Sequence, residues 1–172
     1  LDLQLATQLG IDRKVFYTAG IVSRNFMPYL LAACDIYAAP SRIEGFGMPQ
    51  VEAGACAKPV IGLAAMGMLD TLVHEETALL ARVALENRIT GTVLGPEAGF
   101  EDGHRIVFDP PRVADYRADV RDIAEYLLRL MDDPDLRQRL GEAARQRVVE
   151  LFDYRVVAKR LLSILADRLG LE

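Results

Sequence analysis

Two glutamates, Glu44 and Glu52, stand eight positions apart in the stretch PSRIEGFGMPQVEAGACAKPVIG, residues 40–62. Gly45, Phe46, Gly47, Met48 and Pro49 lie between them, and a short apolar run at 36–39 precedes them. A strand, a glycine loop and a helix in that order carry the chain to the carboxyl edge of a parallel sheet, where ligands bind. Gly45 and Gly47 have no Cβ, so the backbone there can approach a ligand closely and adopt positive φ. Pro49 suits the first helical position, which leaves backbone N–H groups near Gly47 and Met48 for an anion such as a phosphate. A carboxylate repels phosphate, so Glu44 and Glu52 serve better as acceptors for hydroxyls, and two vicinal hydroxyls can share one carboxylate. Phosphates in the middle and hydroxyls at both ends describe a nucleotide-diphosphate sugar. Blander readings exist. Ser41 and Glu44 match a helix capping box, but Gly45, Gly47 and Pro49 oppose a helix there. Glu52 alone would also suit the first turn of its own helix.

These residues need elements to hold them. Residues 1–9 read as a helix tail stopped by Gly10. A β-branched and aromatic run at 15–22 predicts a strand ending near Gly20. Residues 27–35 predict a short helix with Asn25 as its cap and Pro28 in its first turn. A buried strand at 36–40 leads into the glycine loop. A helix at 49–57, a buried strand at 59–64, a helix at 69–75 and a strand-like segment at 77–83 follow. Such alternation marks a parallel sheet flanked by helices, a Rossmann-like α/β fold. From Ala84 to about Arg117 glycine, proline and charge blur the pattern; one or two strands fit, with 105–108 the better candidate, and the default is a surface insertion of unassigned role. Helices at 120–131, 136–152 and 155–169 close the chain, the second opened by Asp133 as cap and Pro134 in the first turn.

With 172 residues, 51% hydrophobic and 26% charged, the chain has core material for a single domain. A net charge of −5 argues against nonspecific nucleic-acid binding, which needs a basic face. No run approaches the length of a transmembrane helix, and no signal-peptide pattern appears, so a cytoplasmic protein is expected. Cys34 and Cys56 read as small buried hydrophobes of a reducing compartment rather than a disulfide or a reactive thiol. His74 and His104 are too isolated for a metal site, and the acidic run 132–135 reads as a helix start rather than a cation site. No dinucleotide-binding or P-loop glycine pattern is present.

The stretch 40–62 resembles the signature of the retaining glycosyltransferases of the GT-B family 4, with its glutamates separated by seven residues. The likeness extends upstream through 15–22 and downstream to about residue 154, omitting 84–117. It implies that Glu44 is catalytic, meeting donor-sugar hydroxyls beside the anomeric carbon. Gly45, Phe46, Gly47 and Met48 would line the sugar and distal phosphate with backbone N–H groups. Glu52 would hold the ribose, the turn including Val22 and Arg24 would line the base, and Gly67 would lie near the donor. No metal or other cofactor is expected, the nucleotide sugar being substrate.

The resemblance also frames what differs. The family pattern has glycine where this chain has Ala57, Met66, Glu75 and Ala78, and glutamate where it has Asp70. The sugar's identity is therefore left open, as are the base and the acceptor. The family's diphosphate-binding arginine and lysine come from a loop before the region matched here, and Arg24 and Arg42 read as solvated surface residues. The chain is thus expected to be most of a donor-binding domain whose N-terminal acceptor domain lies elsewhere in the protein, with its arginine-rich last helices packing on that domain. The alternatives are a noncatalytic nucleotide-binding or interaction module, or a sugar-nucleotide epimerase on the same fold.

Overall fold

The computed structural model describes residues 2–16, 20–99 and 103–170. Its centre is a three-stranded parallel sheet, β1 (Tyr37–Ala38), β2 (Val60–Leu63) and β3 (Ala78–Ala81), in spatial order β1-β2-β3. Tyr37 pairs with Val60, and Val60 with Ala78. Helices α3 (Met48–Ala55) and α4 (Met68–Thr71) make the two crossovers. Every residue of β2 and β3 is buried, as expected for strands covered on both faces. Val60, Ala78 and Leu80 pack on one face with Leu31, Ala53, Met68 and Leu72. Ile61 and Leu79 pack on the other with Leu130, Leu136 and Leu140. The latter belong to α5 (Val120–Asp132) and α6 (Pro134–Leu151).

The three C-terminal helices form as read. Asp119 caps α5 by accepting from the N–H groups of Arg121 and Asp122, and Asp133 caps α6 by accepting from Leu136. The last helix, α7 (Tyr154–Leu169), buries no residue and leaves Val157, Leu161, Leu162 and Ile164 facing out. Among the described residues no helix is long and apolar enough to cross a membrane.

Three expectations are corrected. The middle of the strand expected at 15–22 lies outside the described residues; its flanks, Val15, Phe16, Ile21 and Val22, have no strand conformation, and Phe16 and Ile21 are exposed. A strand persists only where a neighbour completes its ladder, and among the described residues β1 pairs only with β2. Asn25 does not cap α2 (Met27–Ala33): Phe26 is the N-cap, no side chain caps it, and the Ser23 carbonyl accepts from Phe26 and Met27 instead. The helix expected at 69–75 stops at Thr71, because the Val73 N–H bonds the Thr77 hydroxyl and Glu75 enters the left-handed region in the turn to β3. The one or two strands expected within 84–117 are present, and they are longer than read. They form most of an antiparallel hairpin of β4 (Val83–Leu94) and β5 (His104–Ala118). Three register shifts break the alternation that makes a strand legible, and Pro110 and Pro111 are tolerated because both strands of a two-stranded sheet are edges.

Ala57, Met66 and Glu75 are the non-glycine residues with positive φ among those described, at 55°, 55° and 63°. They are three of the four places where the family pattern has glycine. The turns have kept a glycine conformation with side chains in place, at a cost on the order of 1–2 kcal/mol per residue.

The hairpin is joined to α5 by one bidentate pair. The Arg82 backbone N–H and its guanidinium both donate to Asp122, at 2.7–2.9 Å, and the Asp119 N–H donates to the Arg82 carbonyl. The Arg82 bonds hold the Asp122 carboxyl down at about 2. The folded carboxyl thus titrates below its unfolded value of about 3.9, so its contribution is complete above about pH 5 and disappears as pH falls through 4 towards 2. Asp122→Asn should lower the melting temperature at pH 7 and flatten the acid arm of a stability profile followed by circular dichroism. Separately, Ala57→Gly should raise stability by about 1 kcal/mol in urea titrations, since it relieves the left-handed strain.

Candidate functional site

The loop leaving β1 and the loop leaving β2 meet at the carboxyl edge of the sheet. The first runs from Ala39 to Gly47 and ends on the N-terminus of α3; the second runs from Ala64 to Gly67 and ends on α4. The Gly67 N–H points at the Glu44 carbonyl, 3.4 Å away. A Cβ on Gly67 would overlap the carbonyl oxygen of Gly45 and crowd the Cα of Phe46. Gly67 is therefore present because the two loops touch backbone to backbone.

Gly47 is the N-cap of α3, with φ 90° and ψ 43°. It has no side chain to accept from the first N–H groups of the helix. Pro49 occupies the second helical position, one later than the spacing predicted, because Met48 already opens the helix. The N–H groups of Met48 and Gln50 thus face out of the helix start without intrahelical acceptors, next to the positive end of the helix dipole. The Gly47 N–H, expected to be open for a ligand, is not: it donates to Glu44 Oε1 at 3.0 Å. The physical reason is reach, since a carboxylate three residues before the N-cap can accept that residue's own N–H.

Glu52, one turn along α3, is exposed and helps line a cleft of about 740 Å³ between α2, α3 and α6. Arg24, Met27, Pro28, Leu31, Cys56 and Arg145 also line it. The cleft is mostly apolar, with Glu52, Arg24 and Arg145 as its charges. Tyr37 registers both glutamates: burial pushes its phenol up, and the carboxylates of Glu52 and Glu44 push it in the same direction. Burial also raises the Cys34 thiol, and its Sγ donates to the Leu31 carbonyl at 3.0 Å.

The structure therefore brings Glu44, Gly45, Gly47 and Gly67 together, with Glu52 and Arg24 on the adjoining cleft. Val22 is half-buried and is not a lining residue of that cleft. Met48 exposes its side chain. The Phe46 ring stacks edge-on against Phe152 beyond α6, centroids 5.6 Å apart, so only its backbone faces the loop junction. Arg42 is not free: it pairs with Asp115 of β5, while its carbonyl accepts the Tyr116 N–H at 3.0 Å. The hairpin is thereby fastened to the loop carrying Glu44. His74 has a structural role, Nδ1 accepting the Leu80 N–H at 2.9 Å. No three His, Cys, Asp or Glu side chains converge among the described residues.

Residue-level reading missed two arginines of α6. Arg145 donates to the Ala55 carbonyl at the end of α3, and Arg147 holds the carbonyls of Asp70 and Thr71 at the end of α4, each at 3.0 Å. Both cations sit at helix C-termini, where the dipole favours them. Their sequence separation from those helices hid the contact.

Comparison with known proteins places this geometry. The family model described as "Glycosyl transferases group 1" matches residues 3–93. The chain is 29% identical over 161 residues to the MMP alpha-(1->4)-mannosyltransferase of Mycolicibacterium hassiacum, covering 94% of this chain and 31% of that protein. Among solved structures it resembles sucrose-phosphate synthase from Thermosynechococcus elongatus, with a TM-score of 0.68 and 22% identity over 98% of this chain and 34% of that one. It also resembles the Anabaena protein HepE in complex with UDP, with a TM-score of 0.67 and 21% identity over 95% and 35%. The chain spans about a third of the length of the curated relatives it matches.

The loop junction should tolerate no side chain at Gly67. Gly67→Ala should cost about 1–3 kcal/mol or more, because backbone rather than a mobile side chain must give way; a urea midpoint unchanged from wild type would contradict the close approach.

Proposed function

The chain belongs to the group 1 glycosyltransferases, and we propose that it is the donor-binding domain of a retaining, family 4 enzyme that transfers a hexose from a nucleotide diphosphate to an acceptor hydroxyl. One observation carries the reading. Glu44 and Glu52 bracket the bare N-terminus of α3 at the carboxyl edge of the sheet, with the Gly45–Gly67 junction on one side and the apolar cleft on the other.

In this reading the helix start receives the distal phosphate on the Met48 and Gln50 N–H groups. The diphosphate carries about two negative charges and a helix end offers roughly half a positive one, so other cations must complete the site. Arg42 is committed to Asp115. We place the remaining cations, and the acceptor, in a second domain of a protein of the relatives' length, docked near the open face of α7. Glu52 takes the ribose hydroxyls and the cleft beside it takes the base. Glu44 takes sugar hydroxyls beside the anomeric carbon. Transfer with retention breaks the bond from that carbon to the diphosphate oxygen and forms the new bond to the acceptor oxygen on the same face, the acceptor proton passing to the departing phosphate. No step calls on a metal or another cofactor.

The noncatalytic alternative rested on the altered segment 66–78. Met66 and Glu75 hold left-handed backbone of the kind glycine adopts readily, and Gly67 keeps its contact with Gly45, which supports the donor-binding reading over the noncatalytic one. The relatives named above transfer mannose or bind UDP by their own descriptions, which supports a nucleotide-sugar ligand without choosing between bases.

The test is calorimetric titration with UDP, GDP and ADP and their glucose and mannose conjugates. One nucleotide should bind saturably. Glu52→Ala should weaken that nucleotide and its conjugate alike by roughly tenfold, the loss of a hydrogen-bonded charged acceptor. Glu44→Ala should weaken the conjugate only. No binding at millimolar concentration by any of them would overturn the reading.

A further inference from the structure

Gln50 is the third residue of α3 and one of few polar side chains in the core, only 1% exposed. Its Oε1 is buried and has no hydrogen-bond partner. A buried amide oxygen left unpaired costs about 1–3 kcal/mol, so it calls for a reason. Its neighbourhood supplies one. Oε1 lies 3.2 Å from where a Cβ of Gly47 would stand, against the N-cap residue itself. A glutamine at the third helical position is the residue that, in a capping box, reaches back to accept from the N-cap N–H. Here that N–H is already taken by Glu44 Oε1. The Thr71 hydroxyl, also near Gly47, has its one proton shared between the carbonyls of Gly67 and Met68, each at 3.3 Å. Glu44 Oε1 and Gln50 Oε1 thus both lie against the N-cap residue, and only the first has a partner.

We propose that Gln50 is a positioning residue that accepts the Gly47 amide when a ligand hydroxyl draws Glu44 away. In the unliganded loop Glu44 caps Gly47 and Gln50 Oε1 is unpaired. When Glu44 turns its carboxylate to a hydroxyl, the Gly47 N–H would lose its partner at a buried position. Gln50 then closes the capping box, which keeps Gly47 left-handed and the start of α3 in register. The hand-over conserves the number of hydrogen bonds inside the protein, so Glu44 engages its ligand without leaving a stranded amide. That the ligand is a donor sugar rests on the reading under Proposed function; the exchange of acceptors at Gly47 does not.

The experiment has a ligand-free arm and a ligand arm, both on the whole chain. Amide hydrogen exchange at Gly47 is followed by NMR in wild type, Glu44→Ala, Gln50→Met and the double variant. Protection in Glu44→Ala should stay within about threefold of wild type, because Gln50 takes over, and Gln50→Met should leave it unchanged. The double variant should lose roughly tenfold, the worth of one hydrogen bond. Equal loss in Glu44→Ala and the double variant would overturn the proposal. In the second arm, titrations of UDP with UDP-glucose and of GDP with GDP-mannose compare wild type and Gln50→Met. The variant should lose about fivefold more on the conjugate than on the bare nucleotide. Equal weakening of both, together with a lower melting temperature, would mark Gln50 as merely structural and overturn the proposal. Failure of wild type to bind any of the four would sink the donor reading and the sugar-driven hand-over with it, leaving the exchange arm to decide whether Gln50 reaches the amide.

Discussion

The Gly47 N–H is held by the carboxylate of Glu44. That bond turns a left-handed glycine into the start of a helix and sets where the outward-facing amides of α3 point. It also means that the carboxylate read as the chemical centre is, without ligand, a structural cap. The positive end of α3 favours a negative charge beside it, so the resting position of Glu44 is comfortable rather than forced. A ligand must compete with that comfort.

The loop carrying Glu44 is held from three directions, all by segments distant in sequence. Gly67 presses its backbone against Gly45. Phe46 stacks on Phe152 past the end of α6. Arg42 pairs with Asp115, and its carbonyl receives the Tyr116 N–H from β5. The segment that reads as an insertion of unassigned role is therefore a brace for the site loop. Its own base is secured to α5 through Arg82 and Asp122. Helix α6 adds a second brace behind the site, its arginines closing the carbonyl ends of α3 and α4. Gly141 lies so close to the Ala57 carbonyl that no Cβ fits, which brings α6 within reach of both helices.

The departures from the family's glycine pattern look, residue by residue, like losses. In the fold, Ala57, Met66 and Glu75 keep the positive φ that glycine would supply. Glu75 is fixed there by Arg129, which donates to both of its carboxylate oxygens at 2.8 and 3.3 Å. Surrounding contacts can hold a side-chain-bearing residue in a strained conformation when they over-determine it, and that is the state of these turns.

The sequence by itself determined the parallel strands β2 and β3, through continuous apolar runs that only a doubly covered sheet explains, and the C-terminal helices, through apolar spacing and the caps Asp119 and Asp133. It also located the glycine loop and both glutamates, because Gly45, Gly47 and Pro49 restrict the local backbone strongly enough to be read locally. The tertiary structure decided what local preference cannot. The hairpin of β4 and β5 was hidden by register shifts and edge prolines, which matter only once the partner is known. Which acceptor takes the Gly47 amide, and that a glutamine is buried beside it, depended on a space that only the packed loops define.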